Sequence, residues 1–359
     1  MANTKSYQEQ FNTEKTLKLR ELIKTLPSFV KDYFRAIEPT KSIRTRINYA
    51  YDIRVFFDFI LSENPLFKNK KITDISLKDL EQLEPVDIEE YQEYLKVYNR
   101  VKNEENNTTI TNEQITNGER GLARKMSALR SLYGYYYKHQ MIDKNPTIQV
   151  DMPKIHDKAI IRLEADEIAN LLDYVENLGN TLTGQAKKFY DKTKYRDMAI
   201  LTLLLGTGIR VSECVGLDLS DVFFTNDSIK VTRKGGNEMI LYFSSEVEDA
   251  LLSYLEEERN IITPLEGHEN ALFLSSQRKR MSVSSIETMV KKYAKAVTGK
   301  KITPHKLRST YGTALYKETG DIYLVADVLG HKDVNTTKKH YAAIDEDRRR
   351  SAANVVKLR

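Results

Sequence analysis

A single cysteine, Cys214, serves the whole chain, which excludes an internal disulfide framework and any all-cysteine metal site. Its neighbours Val211, Val215 and Leu217 are apolar, so its context reads as that of a buried packing thiol. No apolar run approaches the ~20 residues that a membrane span needs. Residues 1–15 are polar and lack the apolar core of an export signal, so the expected compartment is the cytoplasm, with no membrane partner. No cluster of His, Asp and Glu has metal-ligand spacing, and neither metal nor cofactor is expected. No period of 20–50 residues recurs, which excludes a solenoid.

What is present points elsewhere. The 359 residues suffice for two domains with proper cores. Lys and Arg number 56 against 51 Asp and Glu, giving a net charge of +5. That mild basicity suits nucleic acid only if the positive charge is gathered on one face.

Apolar residues at helical spacing divide the chain. Residues 1–27 read as a polar N-terminal leader, with Leu17, Leu19, Leu22, Ile23 and Leu26 hinting at a short amphipathic helix that ends near Pro27. Residues 28–147 read as an all-helical domain. Ile47, Ala50, Tyr51, Val55, Phe56 and Phe59 mark one helix, with Thr40 or Ser42 as its N-cap and Asn64-Pro65 as its end. Residues 99–118, rich in Asn, Thr and Glu, read as an exposed loop. A strong helix follows over residues 121–138. Met126, Leu129, Leu132, Tyr133 and Tyr136 face inward, and Arg124, Lys125 and Arg130 can face out. A solvated basic face explains any one of these cations. Together with short hydroxyls along one helix they also suit phosphate contacts in a DNA groove. Arg44 and Arg46, and Lys291 and Lys292 on a later helix, are further DNA-binding candidates.

Residues 148–160, with Pro153 and a polar run, read as a linker in which His156 is solvated. Residues 161–345 read as a mixed domain. A helix over 163–175 is followed by a polar insertion at 177–195, then an apolar helix over 196–205 stopped by Gly206-Thr207-Gly208, and a short helix over 209–217. Phe223 to Val231 and Met239 to Tyr242 alternate like two strands, with Lys234-Gly235-Gly236-Asn237 as the hairpin turn. Further helices are expected over 247–260, 282–297, 307–318 and 322–329. Residues 346–359 form a tail. With Ile344, it carries enough apolar side chains (Val355, Val356, Leu358) to dock on another chain, and a frayed terminus is the competing reading.

The chemistry concentrates in the second domain. Arg210 follows a glycine-rich turn, Lys234 sits at a hairpin tip, His305 and Arg308 are three apart on one helix, His331 follows Leu329-Gly330, and Tyr341 lies ten residues further on. Such groups can converge on one phosphodiester. Two guanidiniums can clamp its non-bridging oxygens as charge builds on them, because guanidiniums keep their charge. A tyrosine nucleophile, with an unperturbed pKa of about 10, needs a base or a strong positive field. His305 is the candidate base and Lys234 the candidate acid for the leaving 5′ oxygen. His331 would hydrogen-bond the phosphate, and Glu213, three residues after Arg210, could orient Arg210 or His305. Taken singly each residue has a bland reading: tyrosine occurs 21 times, and a histidine after proline is often only a cap. The ordered set carries the argument.

In this order the residues resemble the catalytic signature of the tyrosine recombinases, also called the phage integrase family. The resemblance is sharpest over residues 203–219, 304–311 and 329–341, and the helix over 121–138 resembles the last helix of the core-binding domain of Xer-type members. It implies a mainly α chain with a small β-sheet, built as a C-shaped clamp from an all-helical, SAM-like core-binding domain and a mixed α/β catalytic domain. It implies Arg210, Lys234, His305, Arg308 and His331 as catalytic residues, Tyr341 as nucleophile and Glu213 in support. It further implies cleavage through a 3′-phosphotyrosine without ATP, and a homotetramer that exchanges strands through a Holliday junction between double-stranded DNA sites with paired inverted repeats. Its tail would contact a neighbouring protomer. In length the chain is nearest the single-recombinase XerS type, so chromosome-dimer resolution is the expected role, with a septal DNA translocase as candidate partner. An integrase of a phage or conjugative element, a type IB topoisomerase and an inactive DNA-binding protein are the alternatives. Tyr341 stands one residue further from His331 than in typical Xer proteins.

Overall fold

The computed structural model describes residues 7–103, 110–156, 160–233, 236–331 and 333–334. The chain divides into two compact units, Met1–Lys158 and Ala159–Arg359. Among the described residues no helix is long and apolar enough to cross a membrane.

The first unit comprises α1 (Tyr7–Lys24), α2 (Val30–Ala36), α3 (Ile43–Glu63), α4 (Leu77–Glu81), α5 (Pro85–Tyr94), a hairpin of β1 (Val97–Asn103) and β2 (Ile110–Thr116), and α6 (Glu119–Lys138). The helix α3 starts where Ser42 accepts a hydrogen bond from the Thr45 N–H, and it ends at Asn64 before Pro65. On α6 the side chains of Met126, Leu129, Leu132, Tyr133 and Tyr136 are buried, as the spacing predicts, in a core shared with Phe56, Phe57, Ile60 and Tyr91.

Three expectations for this unit change. Residues 7–24 are not a solvated leader. Leu19, Leu22, Ile23 and Leu26 stand at i, i+3, i+4 and i+7, one stripe of a helix, and that stripe packs on the core, with Leu19 and Leu26 each 3% exposed. The polar composition belongs to the outward face. Residues 99–118 are not a loop but largely the antiparallel β1–β2 hairpin, with Tyr98 opposite Ile115. At the base of that hairpin Tyr98 is buried and stacks on Tyr94 at 5.2 Å. Rich in Asn, Thr and Glu, the sequence lacks the alternation that marks a strand. Residues 148–152 begin the expected linker, yet Val150 is buried in this core and Met152 packs against it.

The second unit comprises α7 (Ala165–Asn177), α8 (Gly184–Asp191), α9 (Lys194–Thr207), α10 (Val211–Gly216), β3 (Val222–Phe223), β4 (Ser228–Thr232), β5 (Glu238–Tyr242), α11 (Ser245–Tyr254), α12 (Val283–Val297), α13 (Pro304–Thr319) and α14 (Ile322–Leu329). The three strands form one antiparallel sheet in the order β3-β4-β5, with Thr232 opposite Glu238 at the hairpin end. Residues 177–195, expected to be a polar insertion, contain α8. The Tyr190 hydroxyl of α8 donates to the Val175 and Glu176 carbonyls and so binds the segment to α7.

The apolar α9 is the centre of this unit. Ala199, Ile200, Leu201, Leu203 and Leu204 are fully buried, and the helix packs against α7, α11 and α13. Its first turn is capped by the Glu258 carboxylate, which accepts the Tyr195 and Arg196 N–H groups at 2.8 and 3.3 Å. Its last turn stops at Gly208, where φ is +61° and a Cβ would run into Tyr311 of α13. That turn delivers the chain to α10.

Two measurements test these cores. Leu19→Ala should lower the unfolding free energy by about 2–4 kcal/mol in a denaturant titration, where a solvated leader would give less than about 0.5 kcal/mol. Burial, reinforced by the Glu213 charge, pushes the Cys214 thiol up to about 12. The folded chain therefore holds that proton more tightly than the unfolded one. The contribution of this group to stability is flat below about pH 8.5 and falls as pH rises from there towards 12. At mildly alkaline pH a thiol reagent should label the chain quickly in strong denaturant and leave the folded chain unlabelled.

Candidate active site

The helix α14 ends the way a short helix must, by finding donors for its last carbonyl groups. Gly330 adopts φ +59°, and this left-handed step lets the His331 N–H bond back to the Ala326 carbonyl at 2.9 Å. Side chains from three other elements satisfy the remaining carbonyls. Arg210, at the start of α10, donates from Nη2 to the Gly330 carbonyl at 3.1 Å. Arg308, on α13, donates from Nη2 to the Leu329 carbonyl and from Nη1 to the Gly208 carbonyl. Arg233, just after β4, donates to the Asp327 and Val328 carbonyls at 3.3 and 2.7 Å.

Arg210 is held from a second side. The Glu213 carboxylate, 6% exposed, accepts the Arg210 backbone N–H at 3.0 Å and its Nη1 at 2.7 Å. One carboxylate thus caps the start of α10 and fixes the guanidinium. The Arg210 side chain stays one-third exposed, whereas Arg308 is 5% exposed. Arg308 and His305 both stand in the first turns of α13, three residues apart and so on one face, with His305 at the surface. Thr303 and Pro304 start that helix, and Thr310 accepts the Leu163 N–H at 3.0 Å, which binds α13 to the head of this unit.

The structure therefore brings Arg210, Arg308, Glu213 and His331 around one helix end, with His305 one turn from Arg308. Lys234 and Tyr341 lie outside the described residues, as do residues 346–359. Among the described residues no group of three or more His, Cys, Asp and Glu side chains is placed to hold a metal ion. The arrangement gathers permanent positive charge beside a histidine, which suits an anion on which negative charge develops.

One member of the cluster, Arg233, was not among the sequence candidates. Its charge is unremarkable in a basic chain, and nothing local shows that it reaches a helix 94 residues later. The candidates for DNA contact divide. Arg44, Lys291 and Lys292 are exposed, Arg44 with its guanidinium 4.8 Å from the Phe11 ring. Lys125 does not face out: it is 6% exposed and donates to Asn117 at 2.7 Å. Positions 125, 129, 132 and 136 form one helical stripe, so the periodicity that buries Leu129 also buries Lys125. Arg124 faces out as expected, 44% exposed, while also pairing with the buried Asp52; Arg130 donates to the Thr147 and Val150 carbonyls, and Arg46, 12% exposed, pairs with Glu38 at 3.0 Å. Each of these three side chains is thus engaged within the first unit.

The chain is similar to known proteins over nearly its whole length. Residues 162–348 match the phage integrase family. A tyrosine recombinase XerC of Caldanaerobacter subterraneus subsp. tengcongensis is 33% identical over 354 residues, covering 95% of this chain and 89% of that protein. A tyrosine recombinase XerS of Lactococcus lactis is 30% identical over 360 residues, covering 94% and 98%. Among solved structures, the XerH site-specific recombinase bound to a palindromic difH substrate superposes with a TM-score of 0.60 at 18% identity, covering 87% of this chain and 79% of that one. A lambda integrase dimer bound to a core site gives 0.58 at 16% identity, covering 87% and 94%. Those likenesses show a shared, mainly helical fold. With its second unit matched by the family and both units matched end to end by its relatives, the chain belongs to the phage integrase family of tyrosine recombinases.

Proposed function

We propose that the chain is a site-specific recombinase of the Xer type that resolves chromosome dimers, with Tyr341 as nucleophile. The observation that supports the chemistry is the meeting of Arg210 and Arg308, 98 positions apart in sequence, on the one helix end that leads into His331. The match along nearly the full length of relatives named XerC and XerS supports the Xer reading.

In this reading the scissile phosphate binds against Arg210, Arg308 and His331. The Tyr341 hydroxyl attacks phosphorus while its proton passes to His305. The bond from phosphorus to the 5′ oxygen breaks, and Lys234 gives that oxygen its proton. The 3′-phosphotyrosine keeps the energy of the broken ester, so attack by a 5′ hydroxyl reseals DNA without ATP. Glu213 is a positioning residue that acts through Arg210. Double-stranded DNA is the partner. Four protomers would act on two sites with inverted repeats in the cytoplasm, with Arg44, Lys291 and Lys292 on the phosphate backbone and a septal translocase bringing the sites together.

A guanidinium that contacts the developing charge is worth about 10²–10³-fold in rate. Arg210→Ala and Arg308→Lys should each slow cleavage by at least that factor and change DNA affinity only a few-fold. Normal cleavage by either would remove the clamp. The placement of the reaction is tested by trapping covalent protein–DNA adducts in the native host and sequencing their DNA. Adducts should be absent for Tyr341→Phe and should map near the replication terminus. Adducts at the ends of a mobile element would make the chain an integrase of that element. No adduct from the unaltered chain, in a trap that captures a known recombinase, would overturn the catalytic reading.

A further inference from the structure

Arg233 stands where the β4–β5 hairpin begins to turn. Its N–H donates to the Asn237 carbonyl at 2.7 Å, and its own carbonyl accepts the Gly236 N–H at 3.0 Å. Its side chain leaves the sheet altogether. The guanidinium reaches α14 and forks over two successive carbonyls, Asp327 and Val328. Nε is buried with no hydrogen-bond partner among the described residues. The group also lies against Gly330, where any Cβ would collide with it. An arginine that served only to solubilise a hairpin would keep Nε in water, because an unsatisfied buried N–H costs about 1–3 kcal/mol. Burial, and the nearby charge of Arg210, lower this guanidinium's hold on its proton, while Glu213 opposes them. A like charge is therefore held beside Arg210 at a cost, and the contact it maintains joins the hairpin to the helix that precedes His331.

We propose that Arg233 is a positioning residue for strand cleavage, a latch that fixes the turn end of the β4–β5 hairpin to the C-terminal end of α14. The next residue in the chain is Lys234, so the latch sets the point from which the proton donor departs relative to His331. The inference rests on the reading of Lys234 as general acid. In the cleavage step the Tyr341 oxygen bonds to phosphorus, the phosphorus–O5′ bond breaks, and the Lys234 ammonium protonates O5′. Loss of the latch impairs that last proton transfer and leaves phosphate binding in place.

The test replaces the leaving group. A duplex carrying the site recovered by adduct mapping is made with either oxygen or sulfur at the scissile 5′ bridging position, and cleavage by the full chain is timed on both. A thiolate departs without a proton, so a defect in proton delivery disappears on the sulfur substrate. A displaced catalytic group costs on the order of 10²-fold, and a general acid contributes about 10²–10⁴-fold. Arg233→Ala should therefore cleave the oxygen substrate about 10–100-fold more slowly, bind DNA as the unaltered chain does, and recover to within about threefold on sulfur. Lys234→Ala should show the same pattern with a larger defect. Equal slowing on both substrates, or no slowing, overturns the latch. Sulfur rescue of Lys234→Ala without rescue of Arg233→Ala overturns it while sparing the general acid. Failure of sulfur to rescue Lys234→Ala overturns the general-acid reading and this inference with it. If Arg233→Ala melts below the assay temperature, Arg233→Gln, which keeps one amide donor for a carbonyl, carries the same comparison, with an intermediate defect expected.

Discussion

A helix that ends inside a protein leaves carbonyl oxygens without partners, and the second unit is built around one such end. The carbonyls of α14 carry the negative pole of the helix, about half an elementary charge. Three guanidiniums converge on it from α10, from the edge of β4 and from α13. Each such contact is favourable by about 0.3–2 kcal/mol according to burial. Like charges crowded in this way would repel one another in isolation. The carbonyls and the buried Glu213 supply the compensating negative density, so the cations stand gathered before any phosphate arrives. A site assembled in this state has little to reorganise during reaction, which is where electrostatic catalysis gains most.

This dependence explains the placement of the glycines. Gly208 turns the chain between α9 and α10 and lets its carbonyl meet Arg308, while Gly330 turns the chain after α14 and leaves room for Arg233. Both adopt left-handed backbone conformations, which side chains other than glycine resist. Neither residue touches DNA chemistry in the proposed mechanism, yet each sets where a guanidinium can go.

Much of this was legible in the sequence, and what was not has identifiable causes. Helices with a wide apolar stripe, such as α6 and α9, declare themselves through spacing alone. The motif order led to Arg210, Arg308 and His331 being expected together, and the structure places them at one helix end. The β1–β2 hairpin was hidden because its composition, rich in Asn, Thr and Glu, is that of a loop. Arg233 was hidden because its contacts are long-range and its partners are backbone carbonyls, which are the same in every sequence. Some basic residues of α3 and α6 misled for a related reason. Spacing shows which helical face a lysine occupies, but not whether a buried acceptor such as Asn117, or an acid such as Asp52, waits there. Charge can therefore point to DNA while the side chain serves the fold, as it does for Lys125 and Arg130.

The hairpin of the first unit carries a further consequence. A sheet of two strands has two edges, and each edge presents backbone donors and acceptors that another extended chain could match. The protection lies in composition: β1 and β2 are rich in Asn, Thr, Arg, Lys and Glu, and residues 104–109, between them in sequence, contribute two more glutamates. The polarity of this segment therefore bears on the solubility of the recombinase at high concentration, and apolar drift there would favour self-association.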